Sequence, residues 1–212
     1  MIKYFFVLIT GLIFISCSSN GTITLLDKQY LSKLQQERDN KNWEMQYDSY
    51  SPFKVDSLSR FAPLKYYEPT AEFIFKSKLY KYEKPDTIKI SGTKGEQRIA
   101  VVEGYVLLNY KEEDHKLNIY KGFDRQGKAY YSIWFTDQTT GKETYPVGRY
   151  LDFNLNNDPE FVYEIDFNRA YNPYCAYSDL FTCPIPTKED YIDFEIRAGE
   201  KNFHNELNTE KK

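Results

Sequence analysis

RIAVVEGYVLLNY, residues 98–110, decides the fold. It is nearly apolar from end to end, and too long a run to leave one face in water. It reads as a central strand covered on both sides. The charged stretch 111–114, Lys-Glu-Glu-Asp, is the turn that follows it. Working outward, the apolar period is two. Downstream lie HKLNIYKG (115–122), AYYSIWFTD (129–137), GRYLDFNL (148–155), EFVYEIDFN (160–168) and YIDFEIRAG (191–199). Upstream lie DTIKIS (86–91) and AEFIFKSKLY (71–80), in which Phe73 and Phe75 alternate with Glu72 and Lys76. Turn-forming clusters at 124–127, 140–142 and 156–159 separate them. About eight strands with short connections predict a mainly β fold, an antiparallel β-sandwich or a partly closed barrel.

Before residue 66 the pattern changes. Asp27 can cap a helix over about 27–46, with Tyr30, Leu31 and Leu34 as a short apolar stripe. The middle of this helix, 35–42, is wholly polar, so only its ends are expected to pack. Pro52 followed by 55–61 predicts a short second helix with Leu58 and Phe61 facing inward. The expected domains are thus a leader over 1–16, a tether over 17–26, one β domain over 27–205 and a polar tail over 206–212. A chain of this length can bury about 70% of its unfolded surface. It carries 41% hydrophobic and 28% charged residues, with 20 Tyr and 15 Phe. That excess of rings suits a β-rich core with Tyr at its margins.

The leader carries an address. After Lys3 comes the twelve-residue apolar run YFFVLITGLIFI, then Ser16 and Cys17. At about 1.5 Å per residue the run cannot cross ~30 Å of hydrocarbon, and it suits an export signal. Residues 14–17, Phe-Ile-Ser-Cys, resemble a bacterial lipobox, which implies cleavage before Cys17 and lipidation of its thiol. Two or more acyl chains hold a protein stably on a bilayer. No acidic run follows Cys17, so the expected place is the cell envelope, facing the periplasm. The net charge is −3 and no basic stripe stands out, which argues against nucleic acid as a partner.

Two segments break the strand rhythm. In DQTTGKETYPVGRY (137–150), either a hairpin pairs Arg149 with a nearby carboxylate, or Arg149 and Glu143 line a polar cleft. DFNRAYNPYCAYSDLFTCPIP (166–186) is a long Pro-rich loop holding Cys175 and Cys183. Loops of this length in a compact domain are functional or specially braced. With seven residues between them and an exported location, the two cysteines are expected to form a disulfide, contributing roughly 2.5 kcal/mol. Metal binding with His115 and His204 is the weaker alternative, because the spacing fits no zinc pattern.

ETYPVGRYLDF, DFNRAYNPYCAYSDLFTCPIP and IRAGEKNF together resemble the uncharacterised bacterial family DUF1684. The resemblance covers about 35–203 and is densest over 137–203. Val147 stands where Gly or Ala is common, and Ile185 where Leu is usual. The resemblance implies no reaction and no cofactor; it marks the Asn-Pro-Cys loop as the family's distinguishing feature. Motifs for nucleotides, zinc or a serine nucleophile are missing. Three functions compete. The first is a ligand-binding or accessory envelope protein with a cleft formed by Glu143, Arg149, Asp166, Asn168, Tyr171, Asn172, Tyr174 and Tyr177, its ligand a glycan or small acid. The second is a hydrolase that pairs two of Asp137, Glu143, Asp166 and Glu200. The third is a structural envelope protein whose loop is a plug.

Overall fold

The computed structural model describes residues 26–123 and 126–203. Cys17, the leader, all of the tether before residue 26, His204 and the polar tail lie outside the described residues. Helix α1 (Lys28–Tyr47) starts where Asp27 accepts a hydrogen bond from the Tyr30 amide at 2.7 Å, and buries only Leu34 and Met45. Helix α2 (Pro52–Val55) is shorter than expected. Its end has a clear cause. The Asp56 carboxylate accepts from the Leu58 amide, the Ser59 hydroxyl and the buried Ser178 hydroxyl, and this side-chain turn competes with a continuing helix. Leu58, expected to face inward, is 80% exposed, while Phe61 packs edge-on against Phe53.

Eight strands follow: β1 (Ile74–Lys78), β2 (Tyr80–Ser91), β3 (Gln97–Tyr110), β4 (Glu113–Phe123), β5 (Ala129–Asp137), β6 (Arg149–Phe153), β7 (Val162–Asp166) and β8 (Tyr191–Ile192). β2 to β6 form a curled antiparallel sheet in sequence order, β8 adds in parallel to β5, and β1 pairs with β7 in a second, two-stranded sheet. This is the mainly β, partly closed architecture that the period-two pattern predicts. β3 lies between β2 and β4, and residues on both of its faces are buried. A bulge at Glu103 redirects it. Before the bulge Val102 stands opposite Tyr120; after it Val106 stands opposite Leu117, on the other face.

The main core fills one face of the curled sheet with Val106, Leu108, Leu117, Ile119, Ile133, Phe135, Leu151 and Phe153, closed by β1, β7 and residues 192–198. A smaller core on the other face holds Ala100, Val102, Tyr120, Trp134 and Tyr150 beneath Cys183. YIDFEIRAG was expected as a strand over 191–199, but only Tyr191–Ile192 is one. The backbone carbonyls beyond it are spent elsewhere, on the Arg149 side chain. At Gly199 the chain turns with φ of +74°, and a Cβ there would lie 2.6 Å from the carbonyl oxygens of Phe167 and Ala170.

Candidate functional site

β6 ends the large sheet and β7 ends the small one, and the two are not paired with each other. Along their seam, with α1 as the opposite wall, lies an open cleft of about 990 Å³. Its floor is apolar: Leu34, Ile133, Leu151, Phe153 and Ile165. Its walls are polar and aromatic: Glu37, Arg38, Lys41 and Glu44 from α1, Tyr66, Asp152 from β6, and Asp166, Asn168, Arg169 and Tyr171 around the end of β7.

Arg38 is the unusual group. Its Nη1 donates to the Tyr67 carbonyl at 3.2 Å and its Nη2 to the Asn168 carbonyl at 3.4 Å. Its guanidinium lies 4.4 Å over the Tyr66 ring. Among the described residues it has no carboxylate partner, its Nε finds no acceptor, and the buried Tyr66 hydroxyl beside it finds no partner either. Burial lowers the Arg38 pKa from its ordinary value and raises that of Tyr66. Unsatisfied buried polar groups cost about 1–3 kcal/mol each, so a pair of them in a cleft wall calls for an explanation.

The other cations of the cleft wall are matched. Arg169 pairs with Glu37 at 2.9 Å and with Asp166, which also accepts from the Tyr30 hydroxyl at 2.8 Å. Lys41 sits 3.4 Å from Glu200 and 4.2 Å over the Tyr171 ring. Glu200 is fully buried and accepts from Asn172 and from the Tyr177 hydroxyl. Asn168 donates to the Thr70 carbonyl at 2.7 Å and accepts from the Thr70 amide at 2.9 Å, holding the chain before β1 in place.

The structure therefore brings Asp166, Asn168, Tyr171 and Tyr174 to the cleft and places the other candidate residues elsewhere. Asn172 and Tyr177 are buried around Glu200 behind the cleft wall. Glu143 lies apart, pairing with Arg197 at 2.9 Å and accepting from Tyr67; these partners lower its pKa, the Arg197 hydrogen bond most. Arg149 is 1% exposed and does not line the cleft. Its fork donates to Asp137 at 2.7 Å and to the carbonyls of Ile196, Ala198 and Glu200. The planar guanidinium does meet a carboxylate, inside its own domain. The four acids Asp137, Glu143, Asp166 and Glu200 each belong to a separate network, and only Asp166 faces the cleft.

The Pro-rich loop is braced against the sheet rather than left open. Tyr171 pairs with Tyr150 at the edge of β6, the Ile185 amide donates to Ser91 at 2.9 Å, and Tyr145 donates to the Cys175 carbonyl at 3.0 Å. Farther along, Asp190 is fully buried and accepts from Asn118 at 3.0 Å and Tyr120 at 2.6 Å. Cys175 and Cys183 are adjacent thiols; the Cys175 amide donates to the Cys183 sulfur at 3.4 Å. That neighbour, with Tyr145 and Thr93, lowers the Cys175 pKa to about 7. His115 packs against Phe194, and among the described residues no three metal-ligating side chains gather.

Arg38 and Lys41 were not among the residues the sequence singled out. A signal for them exists: Leu34, Arg38, Lys41 and Met45 are spaced as one face of a helix, so two cations occupy positions where a core residue would be expected.

A family model described as a protein of unknown function, DUF1684, matches residues 59–201. The solution NMR structure of an uncharacterised protein from Haloarcula marismortui is similar, with a TM-score of 0.60 and 25% identity, over 82% of this chain and 94% of that one. Among curated proteins none is similar in sequence.

Proposed function

The chain belongs to the DUF1684 family of proteins of unknown function, and from that premise we propose that it is an envelope lipoprotein whose β domain binds a small organic molecule in the cleft beside α1. One observation carries this reading. The cleft combines an apolar floor with two buried donors, Arg38 Nε and the Tyr66 hydroxyl, that nothing in the described chain satisfies. Sites for small molecules have this composition, mostly apolar with a few convergent polar groups. Hydrolysis by paired carboxylates has less support, because the acids that would perform it are engaged in separate networks.

The test is a thermal-shift screen of small acids, amino acids, short peptides and sugars. A hit should be confirmed by calorimetry and lost in Asn154→Trp, which places a large ring on the exposed rim of the cleft. Hits that bind Asn154→Trp unchanged would move the ligand out of this cleft and end the reading.

A second reading, partner docking at the envelope, is favoured by the exposed rings of Trp43 and Tyr47, 5.7 Å apart on α1. Clustered exposed aromatics are enriched at protein interfaces.

A further inference from the structure

The cleft's own chemistry narrows what it takes. This step rests on the ligand-binding reading above. We infer that the ligand is a zwitterion with an apolar body, an apolar amino acid or a short apolar peptide.

Three observations set the class. First, the inner wall offers donors that have no acceptor. Arg38 has spent two of its five N–H groups on backbone carbonyls, and the Tyr66 hydroxyl beneath it has no partner. A carboxylate is the group that suits the N–H groups Arg38 has left, since a guanidinium fork and a carboxylate match in shape and charge.

Second, the mouth has the opposite character. Once Arg169 is assigned to Glu37 and Asp166, and Lys41 to Glu200, three carboxylates of the lining have no cation within ion-pair distance among the described residues: Glu44, Asp152 and Glu164. All three are exposed. Among the described residues Asp152 accepts only the Tyr171 hydroxyl, at 2.7 Å. A simple anion would have to pass these charges, and they would repel it. A molecule with an ammonium at its outer end and a carboxylate at its inner end meets the correct sign at both.

Third, the floor between the two ends is Leu34, Leu151, Phe153 and Ile165, which rewards an apolar side chain and offers nothing to a hydroxylated one. Nor is a sugar favoured by the aromatic walls. Most of the ring faces a sugar would stack on are already in use: Tyr66 lies under Arg38, Tyr171 under Lys41, and Tyr163 is stacked on Phe153 at 4.5 Å, which leaves Phe161 and Tyr174 at the rim.

The experiment is calorimetric titration of the protein with leucylleucine, its methyl ester, its N-acetyl form, octanoate and maltose. Leucylleucine should bind, and the ester and the N-acetyl form should each bind about tenfold or more weakly, having lost one charged contact. Arg38→Gln should weaken leucylleucine while leaving the already weak ester unchanged. Arg38 also holds two carbonyls, so a second variant guards against misfolding: Glu44→Gln with Asp152→Asn, at exposed positions, should weaken leucylleucine and strengthen the N-acetyl form, an anion that those charges repel. Octanoate or maltose binding as well as leucylleucine, with loss in Asn154→Trp, would overturn the zwitterion and leave a ligand-binding cleft. No binding by any of the five would overturn both.

Discussion

Arg149 shows what a single residue discloses before and after folding. Its chemistry was legible: a planar fork close in sequence to carboxylates. The hairpin alternative, with Arg149 on a nearby carboxylate, is the one that Asp137 bears out; the rest of its setting was not legible, because the carbonyls of Ile196, Ala198 and Glu200 reach it from some fifty residues away. Its side chain and that of Asp137 are 1% and 0% exposed. Removing one partner of a buried pair strands the other charge, so Arg149→Met should lower unfolding free energy by about 3–5 kcal/mol. Urea denaturation measures this. Arg197→Met, at an exposed pair with Glu143, should leave the urea midpoint in place. An equal drop in both would show that Arg149 is not the strut described. Arg38 and Lys41 were harder to recognise, because charged residues on a helix are ordinarily solvated, and their partners Asn168, Tyr171 and Glu200 come from the far end of the chain.

Among the elements, strands with clean alternation were legible and segments whose backbone serves a side chain were not. β1 and β4 to β7 fall near where the period of two places them, because a half-buried pleat leaves that imprint whatever its neighbours do, and β3 falls on its apolar run. The first half of β2, 80–85, is mostly exposed and carries no such imprint, and Glu113 and Asp114, read as turn, already belong to β4. The stretch 193–199 carries a strand-like composition, yet Arg149 takes its carbonyls and Gly199 turns the chain away. The hairpin between β3 and β4 is a sharper case. Its two loop residues, Lys111 and Glu112, have φ of 51° and 68°, a conformation that side chains of this kind adopt at a cost. A two-residue loop with both φ values positive favours Asn-Gly. Lys111→Asn combined with Glu112→Gly should therefore raise stability by about 1 kcal/mol, read as a higher urea midpoint with an unchanged slope. A lower midpoint would mean that the turn is not strained in solution.

At the scale of the whole molecule, the partly closed barrel was legible and the cleft was not. A cleft is a relation between surfaces, and this one joins α1 to β6 and β7 across more than a hundred residues. The address belongs to this scale as well. Intact-mass analysis of protein purified from its host membrane should find diacylglycerol on Cys17, and Cys17→Ala should release the chain to the soluble fraction. A mature protein with an unmodified Cys17 would remove the envelope assignment. Under non-reducing conditions the same spectrum should be lighter by two hydrogens, the signature of an oxidised Cys175 and Cys183 pair.

α1 is joined to the barrel by only two buried apolar side chains, Leu34 and Met45, and otherwise by polar contacts. Were the chain fastened to a bilayer through Cys17, as proposed, α1 would also be the first element that a pull on the anchor would reach. Tension there would peel away one side of the binding cleft while the strands stayed folded. Mechanical load on the anchor and occupancy of the cleft would then oppose each other, since a molecule bridging α1 and β6 adds to the force needed to part them.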